Sequence, residues 1–316
     1  MVTTLTVVVP ATNEPPTLDR CLAALAASDE PADEVVVVTD PALSATAARN
    51  RGAARAHGDV VVFVDADVEV HPGALGRIRA ALAADPRLTA VFGSYDDAPA
   101  DPGVVSAFRN LLHHHVHHRN AGPAETFWTG LGAVRRRAFL DLGGFDEEQY
   151  PHPSIEDIEL GDRLREAGHR VALDPAILGT HLKVWTVRSM VWTDFIRRGV
   201  PWVSLQVRRR RVSCTLNCGW RHRLSAAATV VVVVAAGLAL LPLVVGGVAA
   251  LVGLNLGFYG LLLRRLGPLQ AVAGVGLHGL HHLVAVAAVP VGVVAGLWGG
   301  SRAPTSALVP VAGVER

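Results

Sequence analysis

Two carboxylates one residue apart, Asp65 and Asp67, stand directly after the apolar run Val60 to Val64. Carboxylate oxygens are hard ligands, and this spacing suits a Mg2+ or Mn2+ that also takes oxygens from a bound diphosphate. The plain alternative is that acidic residues end a strand and solvate its turn, so the pair gains meaning only from its surroundings. A second cluster holds His113, His114, His115, His117 and His118. On a helix, His113, His114 and His117 would share a side, compatible with zinc or with a polar face turned to solvent or ligand. A third group, Glu156 and Asp157, opens the segment Ser154 to Ala167. The pattern predicts a helix capped by Ser154, with Asp157 as the capping-box acceptor and Gly168 as the stop.

The elements around these residues alternate. Leu5 to Val9, Glu34 to Val38, Val60 to Val64 and Leu88 to Phe92 are β-branched runs that predict buried strands, with helices at Leu18 to Ala27, Ala45 to Ala56 and Pro72 to Ala84 between them. Such alternation predicts an α/β fold with a mostly parallel sheet covered on both faces, whose ligands lie at the carboxyl ends of the strands. Pro10 to Pro15, Asp40 and Asp65 to Asp67 fall on that rim. None is a glycine-rich phosphate loop, which argues against a dinucleotide or P-loop site. Asp101 to Asn120 predicts a helix, and Thr126 to Val134 a strand or loop.

The chain changes character near Arg223. Of its 316 residues half are hydrophobic, yet from Leu224 to Gly300 the only Arg, Lys, Asp, Glu or His residues are Arg264, Arg265 and three histidines. Ser225 to Val245, Val248 to Leu263 and Ala271 to Trp298 predict three membrane spans, or two, with Pro242 and Gly246-Gly247 at a turn and Pro290 interrupting the last. Arg208 to Arg211, Arg221 and Arg223 precede this tract, where anionic headgroups would hold them on the cytoplasmic side. The organisation expected is residues 1–205 as a catalytic domain, 206–223 as a basic juxtamembrane segment, 224–300 as membrane helices and 301–316 as a short tail. Twenty-nine basic against 28 acidic residues leave no basic surface for a nucleic-acid partner. Met1 to Pro10 has no signal-peptide pattern, so the catalytic part is expected in the cytoplasm on a multi-pass membrane protein. Cys214 and Cys218 lack metal-site spacing, and three cysteines make no disulfide framework.

Several segments together carry a family resemblance. Val7-Val8-Val9-Pro10 with Asn13-Glu14, Ala48-Arg49-Asn50-Arg51-Gly52, and Phe63-Val64-Asp65-Ala66-Asp67 resemble the nucleotide-binding half of family 2 glycosyltransferases. Phe127-Trp128-Thr129-Gly130, Gly143-Gly144-Phe145-Asp146 and Glu156-Asp157 through Leu164 continue the likeness in order over about the first two hundred residues. The resemblance implies a GT-A fold and inverting transfer from a nucleotide sugar, a UDP-sugar being the expected donor, to a lipid or membrane-associated acceptor. It places Glu14, Asp40, Arg49 and Asp65 at the nucleotide sugar, with Thr39-Asp40-Pro41-Ala42-Leu43-Ser44 departing from the family's Asp-rich turn. Asp67 and Asp65, with His181, are implied at the metal, and Lys183 near the diphosphate. Trp128, Gly130 and Glu156 are implied on the acceptor side. Asp157 is implied as the general base that removes a proton from the acceptor hydroxyl.

Two other readings make different demands. A processive polysaccharide synthase needs a Gln-x-x-Arg-Trp motif, and Arg197-Arg198-Gly199-Val200-Pro201-Trp202 departs from it. A silent scaffold with a glycosyltransferase-like domain would have no use for Asp65, Asp67 and Asp157.

Overall fold

The computed structural model describes residues 3–298. The expected tail at 301–316 lies outside these residues. The chain opens with β1 (Leu5–Pro10), α1 (Leu18–Ala26), β2 (Glu34–Val38), α2 (Ala45–Arg55), β3 (Val60–Val64), β4 (Val68–Val70), α3 (Ala74–Ala84) and β5 (Leu88–Tyr95). The β-branched runs thus fold as strands where local propensity places them. Next come α4 (Val104–Arg119), β6 (Gly122–Pro123), β7 (Leu131–Arg135), α5 (Arg136–Asp141), α6 (Glu156–Glu166) and β8 (Arg170–His181). One eight-stranded sheet has the order β2-β1-β3-β7-β5-β8-β4, with β6 on β8. It is mixed: β1/β2, β1/β3 and β5/β8 are parallel, whereas β7 enters antiparallel between β3 and β5, and β4 and β6 run antiparallel to β8. Helices with apolar faces cover both sides, leaving β1 and β3 fully buried.

The remaining elements are α7 (Val187–Trp192), a π-helix (Thr193–Gly199), α8 (Val200–Arg208), a 3-10 turn (Leu216–Cys218), α9 (Trp220–Gly237), α10 (Leu241–Leu254) and α11 (Leu256–Trp298). The expected spans are redrawn. The turn between α9 and α10 lies at residues 238–240, where Ala239 has φ +54°, and Pro242 sits in the first turn of α10, a position that suits its fixed φ. Gly246 and Gly247 are inside α10, which at 14 residues is short for a bilayer. Among the described residues, Leu256–Trp298 is the one helix long and apolar enough to cross a membrane by length and composition. It breaks at Gly267 (φ 76°, ψ 174°), immediately before Pro268, and runs on through Pro290.

This C-terminal part is packed into the rest of the molecule. Phe108, Leu111, Leu112 and Val116 of α4 share one apolar cluster with Phe258, Leu261, Leu262 and Leu277 of α11. Farther along, a Cβ at Gly292 would lie 2.5 Å from Val203 Cβ, and one at Gly296 2.7 Å from Val207 Cβ, so only glycine lets α11 lie this close to α8. The basic run expected at headgroups is also partly spent on the protein: Arg209 pairs with Glu159 at 3.0 Å and Arg211 with Glu125 at 3.1 Å.

Candidate active site

The donor rim forms where β3 ends. The Asp65 N–H donates to the Gly130 carbonyl at 3.2 Å, which fixes the turn against the segment leading into β7. Arg49, on α2 and 4% exposed, reaches this turn from below. Its guanidinium donates to Asp65 Oδ1 at 2.6 Å and to Glu156 Oε1 at 2.9 Å, bridging the end of β3 to the start of α6. Flanked by two carboxylates, Arg49 is held above the ordinary arginine range against the opposing cost of its burial. Glu156 is 3% exposed, and its other oxygen accepts the Ser154 N–H at 2.7 Å. The residue expected on the acceptor side is therefore a buried strut under Arg49.

Pairing of β4 with β8 brings in a distant histidine. Val68 stands opposite His181, so the His181 ring lies beside Asp67, with Nε2 3.7 Å from Oδ2. Tyr95 stacks on that ring at 4.2 Å and fixes its plane. Burial pushes the Asp67 carboxyl up, but His181 and Lys183 outweigh it and leave it below its usual range. Lys183 itself lies over Trp185, 4.5 Å from the ring centroid. Glu14 is exposed on the loop after β1 with φ +47°, a strained conformation for a residue with a Cβ. Asp40 is engaged locally: it accepts the Ala42 N–H at 3.0 Å and pairs with Arg51 at 3.1 Å.

Asp157 sits in the first turn of α6, without the capping box expected of it. Ile155 takes the N-cap position without a side-chain bond, and the Ser154 hydroxyl donates instead to the Arg197 carbonyl at 2.6 Å. Asp157 Oδ2 accepts the Thr129 N–H at 3.3 Å, and Oδ1 the Ile158 N–H at 2.8 Å. This approach depends on Gly161, where a Cβ would meet Phe127 N at 2.4 Å. Burial, reinforced by Glu156 and opposed by Arg198 and Arg49, raises the Asp157 carboxyl to about 7. A carboxylate near neutrality can take a proton and also release it.

Trp128 and Gly130 belong to the same junction, since a Cβ at Gly130 would strike the Trp128 ring at 2.3 Å. Trp128 also meets Tyr95 edge-on at 4.9 Å and His113 at 4.6 Å. The histidines do not converge as a metal-binding group: among the described residues no three or more His, Cys, Asp or Glu come together in that way. His114 and His118 stack at 3.8 Å, and the Nδ1 atoms of His114 and His117 lie 2.9 and 2.8 Å from the Tyr95 and Gly93 carbonyls. Burial lowers His117 to about 4 and holds His113 well below its usual value, so both are neutral.

Sequence reasoning missed the far side of Asp157. A cavity of about 690 Å3 opens there between α4, the π-helix, α8, α9 and α11. In it Arg109 donates to both Asp194 oxygens at 2.7 and 2.9 Å, and His281 Nδ1 lies 2.8 Å from Asp194 Oδ2. The lone acid Asp194 among basic and apolar neighbours was the available signal. A π-helix is an uncommon element that concentrates at functional sites, and here it carries Asp194 and Arg198 into the cavity.

A mixed α/β sheet of this order with helices on both faces is the GT-A architecture. The family model for glycosyl transferase family 2 matches residues 43–143, and that for glycosyltransferase-like family 2 matches residues 3–60. The chain carries a family 2 glycosyltransferase domain and is a glycosyltransferase. Its structure is similar to the mannosyltransferase PcManGT from Pyrobaculum calidifontis, solved with GDP-Man and Mn2+, at 18% identity and TM-score 0.51 over 95% of this chain and 89% of that one. Glucosyl-3-phosphoglycerate synthase from Mycobacterium tuberculosis matches at 19% identity and TM-score 0.43, over 60% of this chain and 76% of that one. No match is found among curated proteins.

Proposed function

We propose that the chain is a membrane-anchored inverting glycosyltransferase that moves a sugar from a nucleotide-sugar donor to a lipid or membrane-associated acceptor. The observation that carries this reading is the position of Asp157, with the Asp65 and Asp67 rim on one side and a large cavity, walled by the apolar helix α11, on the other. The presence of GDP-Man and Mn2+ in the similar mannosyltransferase supports the donor class and the cation.

On this reading Glu14, Asp40, Arg49 and Asp65 line the donor side, and Asp157 is the base. Asp157 takes the proton of the acceptor hydroxyl as that oxygen bonds to the anomeric carbon. The bond from that carbon to the diphosphate oxygen breaks, and its electron pair leaves with the nucleoside diphosphate. Attack from the face opposite the leaving group inverts the configuration. Asp67 and His181 would hold a divalent cation, Mg2+ or Mn2+, that takes further oxygens from the donor diphosphate, because a carboxylate and an imidazole converge there; Asp65, the other implied ligand, is bound to Arg49 and would reach the ion through its free oxygen. Such an ion supplies positive charge to the donor diphosphate.

The division at residues 1–205, 206–223 and 224–300 is retained as catalytic domain, juxtamembrane segment and membrane part, with the catalytic side cytoplasmic. The Arg265 pair with Asp97, in the loop after β5, holds the break in α11 against the catalytic domain, which supports the two lying on the same side of the membrane. The reading is tested by incubating the full chain in its membranes with UDP- and GDP-sugars, in Mn2+, Mg2+ or chelator. Release of nucleoside diphosphate with labelling of the lipid fraction is expected from one donor with cation present; no release from any donor contradicts it.

A further inference from the structure

Several features of the cavity point to one kind of ligand. It is lined by Asp157 but by none of Glu14, Asp40, Arg49, Asp65, Asp67 or His181, so it lies on the acceptor side alone. Its walls differ in chemistry from end to end. Val203 and Val207 of α8 face Val286 and Val289 of α11 to make an apolar wall, whereas Asp157, His113 and Arg198 line it with polar groups.

The charges there are unequally matched. Arg109 is neutralised by Asp194 and Arg211 by Glu125. Arg198 and Arg210 both line the cavity and make no ion pair or hydrogen bond through their side chains among the described residues; Arg198, on the π-helix, is also close enough to pull on the Asp157 charge. An unpaired guanidinium facing a cavity is a ready partner for a phosphate or carboxylate. Two more groups await partners: both ring nitrogens of His113, and Nε2 of His282, which is 2% exposed, are buried without a hydrogen bond. About 690 Å3 is within the range of roughly 300–1,000 Å3 typical of small-molecule sites.

We infer that this cavity binds the acceptor as an anionic amphiphile, whose chain lies along α8 and α11, whose phosphate-like group meets Arg198 and whose hydroxyl meets Asp157. This inference rests on the reading of Asp157 as the base. Arg198 thereby selects the acceptor, while the apolar wall, built in part by the helix able to cross a membrane, lets the chain enter from the lipid.

The test uses the full chain in nanodiscs of neutral phosphatidylcholine. Binding is followed by tryptophan fluorescence, because Trp128 and Trp202 both line the cavity. Three probes differ by one part each: lauroyl lysophosphatidic acid, the phosphate-free 1-lauroylglycerol, and glycerol 3-phosphate without the chain. Lysophosphatidic acid is expected to bind saturably and about tenfold more tightly than lauroylglycerol, with glycerol 3-phosphate weaker still. Arg198→Gln should bring lysophosphatidic acid down to the lauroylglycerol level, and Ala285→Trp, which fills the apolar end, should weaken both amphiphiles. Equal binding of the two amphiphiles overturns the anionic contact. Glycerol 3-phosphate binding as well as lysophosphatidic acid shows a site for free phosphate and overturns the amphiphile, and so does indifference to both substitutions. Nucleotide titration in Mn2+ on the same discs shows that each variant is folded. It also separates the two claims: nucleotide bound without these lipid effects sinks only the acceptor assignment, whereas absent nucleotide binding in the unmodified chain sinks the transfer reading itself.

Discussion

Asp157 is the residue whose surroundings most alter its chemistry. Burial, with Glu156 adding to it, raises its carboxyl from 3.8 to about 7, so the folded protein favours the protonated form. The stability tied to that proton is full at low pH and is lost as pH rises through about 7. Activity moves the other way, because only the ionised carboxylate can act as base. Initial-rate measurements at subsaturating substrate should show kcat/KM rising about tenfold per pH unit below about 7 and levelling above it; a flat profile there contradicts the base role. Asp67 differs in being held below its usual range, ionised and ready for a cation. Asp67→Ala should abolish cation-dependent transfer and leave the melting temperature near that of the unmodified chain, since its side chain is partly exposed at a strand end. Substantial turnover of that variant in a Mn2+ titration removes Asp67 from the metal. Asp65 and Asp67 could be picked out together as one short motif, and Asp157 in a second beside Glu156. The role of Glu156 could not be read in this way, because its partner Arg49 is 107 positions away.

At the scale of elements, the first half of the sheet could be read from β-branched runs, since each strand is a local pattern. The antiparallel entry of β7 could not, because direction is set by which neighbour a strand finds. His181 shows the same limit: its place beside Asp67 comes from the β4 and β8 register. In the C-terminal tract the sequence is apolar almost throughout, so no polar period marks where helices end: the break at Gly267 falls in the gap expected between Leu263 and Ala271, whereas the helix runs on through Pro290, where an interruption was expected. Arg49 is the strongest link between elements, joining α2, β3 and α6 in one buried bridge. Arg49→Met leaves the Glu156 carboxylate buried and unpaired, and should cost about 3–5 kcal/mol in stability. Thermal unfolding checks this, and a melting temperature within a degree of the unmodified chain contradicts it.

Across the whole molecule, α4 lies between the sheet and the C-terminal helices, and both sides of it are used. His114 and His117 bond to β5 carbonyls, while Phe108, Leu111 and Leu112 pack against Phe258 and Leu261. Composition alone set the apolar tract apart as a separable anchor; the packing makes it a wall of the cavity. Removing residues 224–316 should therefore expose the apolar side of α4 and give a fragment that self-associates on size exclusion. A monomeric fragment that melts like the full chain shows that the wall is dispensable. The most direct test of catalysis at Asp157 is Asp157→Asn in the full, membrane-held chain, with donor binding and sugar transfer measured on one preparation. The amide keeps the shape of the side chain but cannot take the acceptor proton. Donor affinity should stay within about twofold while transfer falls by roughly 10²- to 10⁴-fold; near-normal transfer, or donor binding lost together with the melting transition, contradicts it.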